Sequence, residues 1–155
     1  MLAVQGLSCQ RGDRLLFSNL DFQVTEGELL QIEGPNGAGK TSLLRQLATL
    51  IPIEQGVVHY CHQSIFLDLP TYRRGLSYIG HGQGLSANLS VRENLDALLG
   101  LRGVSLAGEA FEQSLKQVGL WGYQDTWVRQ LSAGQKRRAA FLRLRFEPSR
   151  LWLLD

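Results

Sequence analysis

The 155-residue chain has little cysteine, little net charge and no long apolar run, and each shortage excludes something. Its two cysteines, Cys9 and Cys61, fit neither a metal-ligand spacing nor a disulfide framework, which suits a reducing cytosol. Sixteen Lys and Arg against fourteen Asp and Glu leave a formal charge of +2, too weak a field to point to nucleic acid or to an anionic membrane. No segment approaches the roughly 18 apolar residues that a membrane-spanning helix needs. The N-terminus, MLAVQGLSCQRGDR, lacks a basic lead and its apolar stretch is broken by Gln5, Gly6 and Ser8, so it does not read as a signal peptide. Work at a membrane would need a partner to supply the span. Repeats and low-complexity segments are also missing. What is present is 44% hydrophobic residues, enough for the core of one globular domain.

Leu2 to Ser8, Leu15 to Val24 and Glu28 to Glu33 read as strands, with Gly12-Asp13 and Glu26-Gly27 as turns. A loop from Gly34 to Gly39 opens a helix from Lys40 to Leu50, and Val57 to Cys61 and Leu76 to Ile79 read as further strands. The pattern turns helical at Ser90, where Ser90 and Glu93 fit a capping box, with Val91, Leu95 and Leu98 on one face. Ala107 to Val118 is a second helix with a stripe of Phe111, Leu115 and Val118. A third starts near Ser132 and ends before Pro148. LWLLD, Leu151 to Asp155, reads as a buried parallel strand. A domain rarely stops at such a strand end, so the chain reads as part of a longer one. Strands, a helical block and a strand again predict an α/β core with a helical insertion.

Gly34-Pro35-Asn36-Gly37-Ala38-Gly39-Lys40-Thr41 matches G-x-x-x-x-G-K-[ST] between a predicted strand and a predicted helix, the context that this phosphate-binding motif requires. Its glycines let successive backbone N–H groups converge on phosphates, and the helix N-terminus adds a positive dipole end. Lys40 is expected at the β- and γ-phosphates of ATP, the Thr41 hydroxyl on Mg2+, and Ser42 as a further phosphate contact.

A second motif narrows the class. Leu131-Ser132-Ala133-Gly134-Gln135, followed by Lys136-Arg137-Arg138, resembles the LSGGQ signature of ABC-type ATPases with one Gly replaced by Ala. The resemblance implies that Ser132 and Gly134 grip the γ-phosphate held by a second subunit, and that Asp155 is the Walker B aspartate holding magnesium. It implies a P-loop NTPase fold, an ABC-type nucleotide-binding domain that is incomplete at its C-terminus. Within the single partial domain 1–155, residues 1–84 form an antiparallel β subdomain with the phosphate-loop core, 85–146 a helical subdomain, and 147–155 the return to the core sheet.

The stretch QIEGPNGAGKTSLLRQL, the run Tyr78-Ile79-Gly80-His81 and the LSAGQ followed by arginines are similar to the ATP-binding subunits of the haem exporter of bacterial cytochrome c maturation. ABC subunits usually carry a γ-phosphate-sensing Gln where the core strand meets the helical insertion. Ungapped counting from Leu89-Ser-Val-Arg-Glu-Asn94 puts His81 there, with Gln83 the other candidate. Where the family often stacks an aromatic on adenine, this chain has Arg11, whose guanidinium can also stack. His59-Tyr60-Cys61-His62 is not a haem motif, since C-x-x-C-H is lacking and alternation on a strand puts His59 and Cys61 on one side and His62 on the other, so the trio does not converge. Trp121, Trp127 and Trp152 read as packing residues.

The resemblance further implies ATP hydrolysis in a dimer of ATP-binding subunits on an integral membrane subunit, at the cytoplasmic face of the bacterial inner membrane, with no nucleic acid and no span of its own. The general base and switch His of the family would lie beyond Asp155, so residues 1–155 alone are expected to be inefficient in hydrolysis. A transporter for another cargo, a soluble ABC ATPase acting on ribosomes or DNA, and a regulatory nucleotide-binding module remain as alternatives.

Overall fold

The computed structural model describes residues 1–106 and 108–155. It divides into two compact units, Met1–Tyr78 with Leu153–Asp155, and Ile79–Trp152.

The first unit is built on β1 (Leu2–Arg11) and β2 (Arg14–Val24), an antiparallel pair joined by a two-residue turn, with Gly12 at φ 55°. β3 (Gln55–Tyr60) pairs antiparallel with the other edge of β1, and the two-residue β4 (Gln63–Ser64) completes a four-stranded sheet in the order β2-β1-β3-β4. Leu2, Val4 and Leu7 of β1 and Val58 of β3 are buried. Gly56 sits at φ 92°, where a Cβ would lie 2.5 Å from the Leu7 Cα, so only glycine lets β3 approach β1 there.

Helix α1 (Lys40–Leu47) buries Leu43, Leu44 and Leu47. Gln46 donates through Nε2 to Ser8 O (3.1 Å) and Pro52 O (3.2 Å), tying α1 to β1. The helix stops at Ala48 rather than running to Leu50, because Thr49 takes a left-handed φ of 57° ahead of Pro52. A short helix, α2 (Leu69–Arg74), was not foreseen; Asp68 caps it and Pro70 lies in its first turn. Its Tyr72 hydroxyl donates to Leu47 O at 2.7 Å, and burial pushes that phenol well above its ordinary pKa.

β5 (Leu76–Ile79) and β6 (Leu151–Leu154) form a separate two-stranded sheet. The expectation of a buried strand at LWLLD needs correction: Leu153 is buried, but Trp152 and Leu154 are exposed, the alternation of a strand covered on one face. Glu28 to Glu33 is likewise not a strand. A strand exists through its ladder, and among the described residues this segment has no ladder partner; Leu29 is 91% exposed. The strand expected over Val57 to Cys61 ends at Tyr60, since Cys61 (φ 50°) and His62 (φ 67°) form the tip of the β3–β4 hairpin.

The second unit holds α3 (Val91–Gly100), α4 (Gly108–Gln117) and α5 (Ala133–Leu142), the last followed by a 3-10 turn, Arg143–Arg145. Ala107, the expected first residue of the second helix, lies outside the described residues. Val91, Leu95 and Leu99 of α3 pack with Phe111 and Leu115 of α4, Leu120, Val128, Leu131, and Ala139 and Leu142 of α5. Leu99 rather than Leu98 completes the α3 face. The tryptophans are not core: Trp121 and Trp127 are 48% and 43% exposed, with Lys116 and Arg129 over their rings at 4.4 and 4.0 Å, and Trp152 is 52% exposed. At Trp121 and Trp127 the polar indole edge and the cation on the ring face favour a half-wet position.

Candidate functional site: a phosphate loop and a capped signature helix

In the first unit, Gly34, Pro35, Asn36, Gly37, Ala38 and Gly39 form the loop that enters α1. Gly37 (φ 83°) and Gly39 (φ 98°) lie in the left-handed region, which turns the backbone sharply. Gly39 is the N-cap of α1 and no side chain caps that end. The first N–H groups of α1 therefore have no side-chain acceptor, the condition under which a helix N-terminus takes an anion. Lys40 folds back over the loop, its Nζ donating to Gly34 O (2.7 Å) and Pro35 O (2.9 Å). Those contacts hold the ammonium against the start of the loop. Ser42 is buried in the first turn.

The Thr41 hydroxyl donates to Asp155 Oδ1 at 2.9 Å, across 114 residues of sequence. A hydroxyl and a carboxylate side by side at the end of a phosphate loop are hard oxygen donors. They fit a magnesium ion, which takes few protein ligands, keeps its waters and shares phosphate oxygens. Among the described residues no cluster of three His, Cys, Asp or Glu could hold a metal by itself, and His59, Cys61 and His62 do not form one. Cys9 is buried and Cys61 exposed, both as free thiols. Arg11 stands exposed at the end of β1.

In the second unit, His81 and Gln83 lie in the turn after β5. His81 is exposed, and Gln83 takes a left-handed φ of 59°, strained for a residue with a Cβ, with its N–H donating to Gly80 O at 2.8 Å. The segment that follows, from Ser86 to Ser90, is held by Asn94, a residue that sequence reasoning passed over. The buried Asn94 Oδ1 accepts from Ser86 N (2.7 Å), and Nδ2 donates to Ser86 O (3.0 Å), Leu89 O (3.2 Å) and Ser90 O (2.9 Å). The signal was available: an amide at the inner face of α3, four residues beyond the cap.

Ser132 is the N-cap of α5. Its Oγ accepts from Gln135 N (3.2 Å), while Gln135 Oε1 accepts from Ser132 N (2.8 Å). This capping box fixes the Ser132 hydroxyl at the helix mouth and leaves its own proton to donate. Ser132, Ala133 and Gly134 are exposed, and a Cβ at Gly134 would meet nothing within 4 Å. At the other end of α5, Arg143 is buried and reaches the loop of Gln83: its Nη1 would lie 3.7 Å from a Cβ on Gly84. Glu147 Oε1 lies 3.5 Å from Arg143 Nε and 3.8 Å from Arg102 Nε. Burial holds the Arg143 guanidinium below its ordinary pKa, opposed by the Glu147 carboxylate and reinforced by Arg102. Of the remaining basic residues of this helix, Arg138 is spent on Val118 O at 2.8 Å and Arg137 lies over Phe141.

A glycine-rich loop opening an uncapped helix, closed by a lysine and a Thr–Asp pair, is the arrangement of a P-loop nucleotide site. The chain belongs to the ABC transporter family, whose profile matches residues 17–155. It is 48% identical to the cytochrome c biogenesis ATP-binding export protein CcmA of Methylococcus capsulatus, over 99% of this chain and 74% of that one. It is 46% identical to the protein of the same name from Yersinia pestis, over 100% of this chain and 71% of that one. Among solved structures, an ABC transporter ATP-binding protein of Pyrococcus furiosus superposes with a TM-score of 0.87 at 22% identity, over 99% of this chain and 74% of that one. A dimeric ATP-binding cassette in a post-hydrolysis state with ADP and Pi gives 0.83 at 23% identity, over 100% of this chain and 73% of that one. The fold expected from the sequence, an ABC-type nucleotide-binding fold, is the fold found. Among the described residues no helix is long and apolar enough to cross a membrane.

Proposed function

We propose that the protein is the ATP-binding subunit of an exporter that serves cytochrome c biogenesis, with haem as the cargo of the complex. The observation that carries the nucleotide site is the 2.9 Å contact of Thr41 with Asp155 beside the free N-terminus of α1. The cargo rests on 46–48% identity along the whole chain to proteins named for that export.

In this reading the backbone N–H groups of Gly37 to Thr41 cradle the phosphates of ATP, and Lys40 leaves its loop carbonyls to neutralise the β- and γ-phosphates. Pro35 and Asn36 shape the loop, and Ser42 supports it. Thr41 and Asp155 would hold Mg2+, which supplies charge neutralisation on the phosphates. His81 or Gln83 orients water at the γ-phosphate. Ser132 and the N–H of Gly134 form an anion site at the mouth of α5 for the nucleotide on a second copy of the chain, so hydrolysis belongs to a dimer. The dimer works on an integral membrane subunit at the cytoplasmic face of the inner membrane. We assign no general base among these residues, and a polypeptide of residues 1–155 alone binds ATP with little turnover.

Lys40→Ala tests the site, because among the described residues the Lys40 ammonium bonds to the loop carbonyls and not to the core. The variant should melt with the parent while losing ATP binding, ATPase activity and, in cells, assembly of cytochrome c. Unchanged ATP turnover would remove Lys40, and the loop, from the mechanism. Normal cytochrome c assembly in a strain lacking the protein would remove the cargo.

A further inference from the structure

The Gly12–Asp13 turn makes Arg11 and Arg14 direct cross-strand partners, so both side chains stand on one face of the hairpin tip. Two guanidinium groups side by side repel unless an anion lies between or beside them. Among the described residues neither has a hydrogen-bond or ion-pair partner in the protein. The tip is not a loose end. β2 packs against the phosphate loop so closely that a Cβ on Gly39 would lie 2.9 Å from Phe17 Cδ1 and 3.0 Å from Leu16 Cβ. This packing fixes the position of Arg14, two residues before Leu16. Its Nη2 and Nη1 come to 3.6 and 4.0 Å from the place of a Cβ on Gly37, at the apex of the loop. A five-donor planar cation thus lies against a glycine backbone, beside the uncapped start of α1, with Lys40 turned to its own carbonyls.

We propose that Arg14 is a nucleotide-holding residue, whose guanidinium covers the apex of the phosphate loop and bonds the phosphate chain of the bound nucleotide. The inference rests on the reading of residues 34–41 as the ATP site. It adds a side chain from β2 to the phosphate loop and to Asp155, the residue that follows β6. An arginine is suited to the place because its fork can bond two phosphate oxygens at once. The phosphate charge would offset the positive charge of Arg14, of its cross-strand partner Arg11 and of Lys40.

The test compares Arg14→Ala, Arg150→Ala and Lys40→Ala in the full-length protein, titrated with ATP and with inorganic tripolyphosphate. Arg150 is an exposed arginine outside the site and serves as the charge-matched control. Arg14→Ala should weaken ATP and tripolyphosphate alike by about tenfold, equivalent to about 1.4 kcal/mol, while Arg150→Ala leaves both unchanged. Tripolyphosphate binding within about twofold of the parent in Arg14→Ala overturns the proposal, whether ATP binding is kept or lost, since the guanidinium then does not serve the phosphates. ATP binding kept in Lys40→Ala would instead sink the reading of the loop itself, an outcome separate from that of Arg14.

Discussion

Gly39→Ala places one methyl group where both backbone and packing resist it. The residue sits at φ 98°, a region in which an L side chain crowds its own carbonyl at a cost of about 1–2 kcal/mol. The new Cβ would also come within 2.9 and 3.3 Å of two ring atoms of Phe17 and 3.0 Å of Leu16 Cβ. Phe17 is only half-buried, so its ring can move, and that share of the penalty is about 1 kcal/mol, the low end of overpacking. Together these predict a loss of about 2–3 kcal/mol, or a melting temperature lower by roughly 4–12 °C for a chain of this size. Phe17→Leu removes the ring and separates the two causes. In the double variant, Gly39→Ala should keep its backbone share and its approach to Leu16 Cβ and lose only the ring contact, a coupling of up to about 1 kcal/mol in the cycle. Thermal and urea unfolding of the four proteins measure it, with ATP titration alongside, since a turned Gly39 also misdirects the first N–H groups of α1. A single variant that melts within about 2 °C of the parent, or a cycle without coupling, refutes the account of β2 bracing the loop.

Asn94→Ala removes four hydrogen bonds from the loop that follows His81 and Gln83; urea unfolding should show a loss of about 2–4 kcal/mol, and the Ser86 amide should exchange faster. The Glu93 carboxylate is held below 4.5 by the Ser90 N–H and hydroxyl, so its stabilising effect is complete above its unfolded value and is lost as pH falls through the lower folded one. Glu93→Gln should therefore melt below the parent at neutral pH and converge with it as the medium is acidified past 4.5; a gap that persists at low pH contradicts the assignment.

Local signals were legible in the sequence and non-local ones were not. Ser90-x-x-Glu93 was read from spacing alone, because a cap needs only the residues within one turn, while the phosphate loop was read from its spacing and its flanks, of which the helix formed and the strand did not. Glu28 to Glu33 failed because an apolar run signals burial but cannot name the strand that would pair with it. Cys61-His62 failed because a hairpin tip with two left-handed residues usually shows Asn or Gly, and this one shows neither. Arg14 had no motif at all. Its place at Gly37 follows from a hairpin register and from the packing of Phe17 on Gly39, contacts between segments that no single window contains.

The glycines separate what the chain needs for itself from what it leaves open. At Gly56 and Gly39 an added Cβ strikes the chain's own atoms, and the fold accounts for the residue. At Gly134 it strikes nothing, φ is not left-handed, and the residue lies in the first turn of α5, where alanine would favour the helix by up to about 1 kcal/mol. Nothing within the described chain repays that choice. A glycine there bares the backbone N–H groups beside the Ser132 hydroxyl to whatever approaches along the helix axis, and the positive end of α5 favours an anion. The phosphate loop has its own glycines and its own helix within the first unit. An open mouth of this kind is what the anion site proposed on α5 requires, where the nucleotide held by another copy of the dimer would lie.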